Sequence, residues 1–182
     1  MLFRSLNGRE AEFRDATLRG LDLATHLGAA RVHLMSGLAD DSPEARVTWL
    51  SRLRWAVEQS PLPLVVEPIN QRDMPGYFLH RPGQALDLLA LLGSSRVQLQ
   101  LDLYHCRVSE GESLPQLTRA LDEARLGHVQ LAGVTARHEP APGEFDAELA
   151  LLHSRGWPGA VGLEYRPRAG TSAGLAGFKA SR

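Results

Sequence analysis

Residues 97–105, VQLQLDLYH, carry the pattern that decides the predicted fold. Apolar residues at 97, 99 and 101 alternate with polar residues at 98, 100 and 102, as expected of a β-strand whose two faces have different surroundings. The strand ends in an acid, an aromatic residue and an imidazole, which are Asp102, Tyr104 and His105. Three other short apolar segments have the same form and carry Glu67, Gln130 and Glu164. Four strands therefore each bring an oxygen ligand to their C-terminal end.

The spacing of these four residues predicts that they meet at one edge of a parallel sheet. Glu67 and Asp102 are 35 residues apart, Asp102 and Gln130 are 28 apart, and Gln130 and Glu164 are 34 apart. Each interval is close to the length of one strand, helix and connection, about 30 residues. We therefore predict an α/β fold of the parallel (β/α) TIM-barrel type, with the active site at the C-terminal ends of the strands.

Hydrophobic periodicity predicts about five strands alternating with helices, at residues 30–35, 62–70, 97–105, 127–132 and 160–165. A closed barrel of this type has eight strands and at least about 200 residues, whereas this chain has 182. The chain also opens on a predicted helix. We therefore expect an incomplete barrel that lacks the N-terminal three strands, forming a single domain over residues 1–182.

Composition excludes several classes of function. A net charge of -1 and dispersed arginines argue against general binding to nucleic acid or membrane. The single cysteine, Cys106, cannot form an internal disulfide, and we expect a cytoplasmic protein. The only lysine, Lys179, argues against Schiff-base chemistry, and no nucleotide-binding glycine motif occurs. The expected partner is a small hydroxy-oxo acid or sugar, with homo-oligomerisation left open.

Four linked motifs resemble hydroxypyruvate isomerase and its relatives in the xylose-isomerase-like TIM-barrel superfamily. They are LVVEPIN with the downstream PGYFL, LQLDLYH, GHVQLAGVTARHEPAPGE and GLEYRPRAGT. They follow the order of the family and cover the larger part of the chain. The resemblance implies an intramolecular oxidoreductase of carbohydrate or glyoxylate metabolism. Its reaction would interconvert hydroxypyruvate and 2-hydroxy-3-oxopropanoate, which is tartronate semialdehyde.

The resemblance also implies roles for individual residues. It makes Glu67 and Glu164 the acid/base pair, and it makes the ligands of a divalent metal Glu67, Asp102, Gln130 and Glu164. It places four further residues in contact with substrate, namely Asn70, His105, Arg137 and Glu139. Three carboxylates and an amide form an all-oxygen set, which favours Mg²⁺ or Mn²⁺.

These residue types suit the implied reaction. A metal that binds an α-hydroxycarbonyl acts as a Lewis acid, while one glutamate removes a proton and the other returns one. A substrate carboxylate needs a cation, and Arg137 is suited to bidentate binding. An isolated acid at a strand end is usually solvated or caps a helix. Four oxygen-bearing side chains at the ends of successive strands instead favour a metal site. Three alternatives stay open: a ketose epimerase, a 2-oxo-tetronate-type isomerase, and an inactive truncated product.

Overall fold

The computed structural model describes residues 9–175. Within them, helices and strands alternate over most of the chain. The strands are β1 (Val32–His33), β2 (Leu64–Val66), β3 (Val97–Asp102), β4 (Leu126–Leu131) and β5 (Val161–Leu163). The helices are α1 (Glu10–His26), α2 (Pro43–Gln59), α3 (Pro82–Leu92), α4 (Leu103–Glu110), α5 (Leu114–Asp122), α6 (Asp146–Ser154) and α7 (Thr171–Leu175).

The five strands form one parallel sheet in the order β1-β2-β3-β4-β5. Every neighbouring pair is parallel, so the C-terminal ends of all five strands lie at the same edge. This arrangement is a half-barrel of the TIM-barrel type, and it confirms the predicted fold class. The prediction of a single domain over residues 1–182 extends beyond the described residues at both ends and stays a prediction.

The core lies between the sheet and the helices that pack on its outer face. Apolar strand residues such as Leu64, Leu99 and Val129 are fully buried, and they contact buried leucines of α3 and α5. The opposite face of β3 carries Gln98, Gln100 and Asp102. Alternation along β3 therefore separates an apolar outer face from a polar inner face, as the sequence predicts. None of the helices in residues 9–175 has the length and apolar character needed to cross a bilayer.

Local signals explain several helix ends. The Ser42 side chain accepts a hydrogen bond from the Ala45 backbone N–H at 3.1 Å and caps α2, as its position before Pro43 indicates. Gly93 ends α3 in the left-handed conformation, with φ of 71°.

The strand predicted over residues 97–105 is wrong for its last three residues, because β3 ends at Asp102 and helix α4 begins directly after it. The Asp102 carboxylate accepts a hydrogen bond from the Tyr104 backbone N–H at 2.8 Å and so caps this helix. His105 consequently lies in the first turn of a helix, where its side chain points back over the strand end.

A β-bulge shifts the register between β3 and β4. Leu99 pairs with Leu126, but Gln100 pairs with His128, so Gly127 is the extra residue of β4. A Cβ at Gly127 would lie 2.7 Å from the Gln98 Cβ and 2.9 Å from the Val65 Cγ1. Only glycine therefore fits between these two neighbours without movement of the strands. The bulge sets the register that brings Asp102 beside Gln130.

We predict that Gly127→Ala lowers the free energy of unfolding by about 1–3 kcal/mol, because the added methyl group overpacks the inner face of the sheet. Gly20→Ala is the matched control, since a Cβ there meets no atom within 4 Å. In the interior of helix α1 the alanine should stabilise by about 0.5–1 kcal/mol. Urea denaturation measures both changes. Equal stability of Gly127→Ala and the wild type would show that the close approach is not a constraint.

Candidate active site

Two carboxylates lie buried at the ends of neighbouring strands. Glu67 directly follows β2 and is 5% exposed, and Asp102 ends β3 and is 1% exposed. The register aligns Asp102 with Gln130 and places Gln130 beside Gly162, two residues before Glu164. The four residues predicted as metal ligands are therefore staggered along one sheet edge, as strand tilt in a barrel requires.

Gln100 connects two of these residues. Its side-chain amide donates to the Glu67 Oε2 at 3.0 Å and to the Gln130 Oε1 at 2.7 Å. The other carboxylate oxygen of Glu67, Oε1, is buried and has no hydrogen-bond partner within residues 9–175. A buried carboxylate oxygen without a partner is costly. The unpartnered Oε1 of Glu67 is therefore the atom of this site that most needs a hydrogen-bond donor or a cation beside it.

Arg137 bridges two of the acids. One guanidinium nitrogen lies 3.5 Å from the Asp102 Oδ2 and 3.1 Å from the Glu164 Oε1. Ala136 and Arg137 both have positive φ, 63° and 55°, which is strained for residues with side chains. The strained turn directs Arg137 toward the carboxylates, and Glu164 remains about half exposed beside it.

His105 is oriented by Asn70. The Asn70 backbone N–H and side-chain amide both approach the His105 Nδ1, at 3.5 Å and 2.6 Å. A backbone N–H can only donate, so Nδ1 is an acceptor and the neutral ring carries its proton on Nε2. The Nε2 atom lies 3.9 Å from the Asp102 Oδ2. His105 thus presents an N–H group, rather than a lone pair, toward the buried acids.

Burial dominates the ionisation of the site. It raises the pKa of Glu67 well above its ordinary value, and the charges of Asp102 and Glu164 raise it further. Burial likewise raises the pKa of Asp102 to about 6, against the opposing effect of Arg137. Burial lowers the pKa of His105 to about 4, and the Arg137 charge acts in the same direction. Negative charge is therefore crowded at the sheet edge, and a further cation would stabilise it.

These residues fit a divalent metal. Glu67, Asp102 and His105 each offer a ligand atom, and the three atoms lie within 4.8 Å of one another. The open Oε1 of Glu67 and the crowded carboxylates provide the negative charge that such an ion needs. The hydrogen bonds of His105 favour the two carboxylates over the imidazole as ligands.

A cavity of about 500 Å³ gathers most of the predicted site residues. Those lining it are Glu67, His105, Gln130, Arg137 and Glu164. Asp102 lies behind Arg137, and Asn70 lies behind His105.

The structure places Glu139 elsewhere. Its carboxylate accepts a hydrogen bond from the Arg168 backbone N–H at 3.1 Å and lines a separate cavity of about 730 Å³. Its predicted role as a substrate contact stays a prediction. Among the residues of the 500 Å³ cavity that were missing from the predicted site, Gln100 and His33 lie against Glu67. Gln100 shares the inner face of β3 with Asp102, and this alternation was the signal available in the sequence.

His33 ends β1, with its Nδ1 3.7 Å from the Glu67 Oε2. Burial lowers the pKa of His33 to about 4, so the ring is neutral near pH 7. Its sequence context, a single histidine in a short strand, gave no comparable signal.

The family is shown by comparison with known proteins. A family model described as xylose isomerase-like TIM barrel matches residues 2–181. The chain belongs to this family, which confirms the resemblance found in its motifs.

Among curated relatives, 2-oxo-tetronate isomerase of Cupriavidus necator is 42% identical, over 96% of this chain and 70% of that protein. Hydroxypyruvate isomerase of Escherichia coli is 34% identical, over 92% of this chain and 67% of that protein. The predicted class is confirmed: the relatives are isomerases, and the chain is an enzyme of the isomerase type.

The solved structures agree on the fold. A protein from Brucella melitensis, described as AP endonuclease, family 2, superposes with a TM-score of 0.86 at 36% identity. The match covers 97% of this chain and 70% of that one.

The chain is shorter than its relatives. A putative hydroxypyruvate isomerase of Homo sapiens is 37% identical, and the chain spans 65% of its length. The chain thus corresponds to about two thirds of the length of these relatives.

We predict that Arg137→Gln binds Mn²⁺ about tenfold more tightly than the wild type, a change of about 1.4 kcal/mol. The guanidinium contacts carboxylate oxygens of two predicted ligands, Asp102 and Glu164, and its charge repels a dication. Calorimetric titration of the metal-free chain measures the affinity. Arg54→Gln on the outer surface is the control. Unchanged or weaker binding by Arg137→Gln would contradict this competition.

Proposed function

We propose that the chain is a metal-dependent isomerase of small 2-oxo acids, with hydroxypyruvate and tartronate semialdehyde as the first substrate pair to test. The observation that carries the proposal is the pairing of Glu67 and Glu164 across one cavity that also contains Gln130 and Arg137. Isomerisation of an α-hydroxycarbonyl requires a proton to leave one carbon and another to reach its neighbour. Two carboxyl groups facing one cavity are suited to both transfers.

The two glutamates have different surroundings, which suits different roles. Burial raises the pKa of Glu67 well above its ordinary value, so the ionised group is a stronger base than an ordinary glutamate. Glu164 is about half exposed and is paired with Arg137. For hydroxypyruvate, one glutamate removes a proton from C3 and the other delivers one to C2, while a proton passes from the C3 hydroxyl to the C2 oxygen. Which glutamate acts first depends on the face of the substrate that each one meets.

A divalent metal held by Glu67, Asp102, Gln130 and Glu164 would supply a Lewis acid that polarises the substrate carbonyl. Gln100 supports this ligand set, because its amide orients both Glu67 and the Gln130 side chain. The same amide donates to Glu67 and leaves its Oε1 available. The oxygen-rich set favours Mg²⁺ or Mn²⁺ over a metal that prefers sulfur.

Substrate would be oriented by His105 and Arg137. The hydrogen bonds that Asn70 makes to Nδ1 leave the proton of His105 on Nε2, and His105 lines the cavity, so this N–H can donate to a substrate oxygen. Arg137 lies at the same cavity and offers a forked donor to a carboxylate. Asn70 is buried and acts through His105 rather than on the substrate itself.

A four-carbon substrate is the second candidate. The relative at 42% identity is named 2-oxo-tetronate isomerase. A 2-oxo-tetronate has the same 2-oxo acid group and C3 hydroxyl as hydroxypyruvate, and its chain is one carbon longer. The cavity of about 500 Å³ is large enough for either molecule. Parallel assays of both substrates decide between them through the ratio of their kcat/KM values.

We predict that Glu67→Gln and Glu164→Gln each lower kcat for hydroxypyruvate or 2-oxo-tetronate by at least about 100-fold, because an amide cannot exchange the proton. Glu58→Gln is the matched control, since Glu58 is exposed on helix α2. Turnover is followed by coupled reduction of the product. Full activity of either active-site variant would show that the substituted glutamate does not transfer a proton in the reaction.

We predict that EDTA abolishes turnover of the purified chain and that Mg²⁺ or Mn²⁺ restores it. The reason is that the carboxylates of Glu67, Asp102 and Glu164 crowd together, and the single charge of Arg137 offsets only part of theirs. Initial rates across a titration of each metal, with Zn²⁺ for comparison, measure the dependence. Undiminished turnover in EDTA, with metal content below the enzyme concentration, would contradict the metal requirement.

A further inference from the structure

A second cleft of about 600 Å³ adjoins the active-site cavity. The two spaces share Asp73, Arg137 and Arg166. The cleft also contains Arg72 and Tyr104, which do not line the active-site cavity. Three arginines and one carboxylate therefore surround a space that opens directly beside the proposed reaction centre.

Tyr104 gathers two of the arginines. The Arg137 guanidinium lies 5.1 Å from the centre of the Tyr104 ring, and the Arg72 guanidinium lies 5.8 Å from it. Arg72 also donates to the Tyr104 hydroxyl at 2.9 Å. Two like charges are thus held on one aromatic ring, where each is stabilised by the ring and repelled by the other.

The carboxylate in the cleft is already fully engaged. One oxygen of Asp73 accepts hydrogen bonds from the Tyr104 hydroxyl at 2.6 Å and from the Asn70 side chain at 3.2 Å. Its other oxygen lies 3.5 Å from Arg72. Asp73 therefore offsets about one of the three positive charges that line the cleft.

Arg137 and Arg166 differ in their pairing. Arg137 is occupied by the acids of the reaction centre, Asp102 and Glu164. Arg166 is exposed, and no carboxylate within residues 9–175 forms an ion pair with its guanidinium. Its backbone N–H donates to the Arg137 carbonyl at 2.7 Å, which fixes the Arg166 backbone beside Arg137. Arg166 and Arg72 are therefore the cations of this cleft with spare capacity for an anion.

We propose that this arginine cleft is an anion subsite that binds the carboxylate of the substrate through Arg72 and Arg166. The proposal rests on the proposed function in naming the substrate class: a small hydroxy-oxo acid rather than a neutral ketose. Guanidinium groups bind carboxylates with two parallel hydrogen bonds, and an anion in the cleft offsets the positive charge that its arginines share. The subsite thus adds two residues, Arg72 and Arg166, to the acid recognition predicted for Arg137.

The test is equilibrium binding of D-glycerate to the metal-free chain, measured by ligand-observed NMR titration. Glycerol has the same carbon skeleton without the carboxylate, and glycerol 3-phosphate replaces the carboxylate by a phosphate. We expect D-glycerate to bind more tightly than glycerol, with affinity that falls as salt is added. Arg72→Gln and Arg166→Gln should each raise the Kd for D-glycerate by roughly 3- to 10-fold, about 0.7–1.4 kcal/mol.

Three controls make the outcome decisive. Arg54→Gln removes an exposed arginine from the outer face of α2 and should leave the Kd unchanged. Arg72→Lys keeps the charge and should recover part of the affinity, and circular dichroism verifies that each variant is folded. Tighter binding of glycerol 3-phosphate than of D-glycerate would overturn the assignment to a carboxylate. Equal Kd values for the wild type, Arg72→Gln and Arg166→Gln would overturn the subsite.

Binding and turnover separate this proposal from the proposed function. Arginine-dependent binding of D-glycerate without isomerisation of hydroxypyruvate or 2-oxo-tetronate would support the subsite and contradict the reaction. Turnover of either acid, with D-glycerate binding unaffected in both glutamine variants, would support the reaction and contradict the subsite.

Discussion

The burial of two carboxylates at adjacent strand ends is the constraint on which the rest of the site depends. Glu67 and Asp102 are 5% and 1% exposed, and each raises the cost of ionising the other groups around it. Charges removed from water in this way require hydrogen bonds or opposite charges. The Gln100 amide and the Arg137 guanidinium meet part of that requirement. The Oε1 atom of Glu67 is buried and has no hydrogen-bond partner within residues 9–175, so the requirement is not met there. We propose that the metal binds at this atom.

The sheet brings these groups together through its parallel register. The bulge at Gly127 moves β4 by one residue relative to β3, so Gln130 faces Asp102. Without this shift, Gln130 would be out of phase with the inner face of β3, and its amide would not reach Gln100. A single glycine in the strand therefore links the packing of the sheet to the composition of the site.

Much of the fold was accessible from the sequence because its signals are local and periodic. Alternation in VQLQLDLYH gave the strand and its two faces, and the spacing of Glu67, Asp102, Gln130 and Glu164 gave the common edge. The capping of α4 by Asp102 was missed because the same residue was interpreted only as a ligand at the end of a strand. The sequence pattern shows an acid at the end of a strand, and it does not distinguish a metal ligand from a helix cap when the same residue, Asp102, has both positions.

The details of the site depend on contacts between residues far apart in the chain, which no local pattern specifies. The orientation of His105 follows from hydrogen bonds to Asn70, 35 residues away. The bridge between Arg137 and the two acids depends on a strained turn in a loop rich in polar residues. The arginine cleft likewise forms only where the segments that carry Arg72, Arg137 and Arg166 come together around one space. Contacts of this kind can be identified only from the three-dimensional structure.

An anomalous difference map from crystals grown with Mn²⁺ tests the proposed metal site most directly. We predict one strong peak coordinated by oxygens of Glu67, Asp102, Gln130 and Glu164. We also predict that Arg137 has moved away from Asp102 and that the His105 Nδ1 is still bonded to Asn70. A peak coordinated by the His105 Nε2, or no peak at the carboxylates with Arg137 still between Asp102 and Glu164, would contradict it.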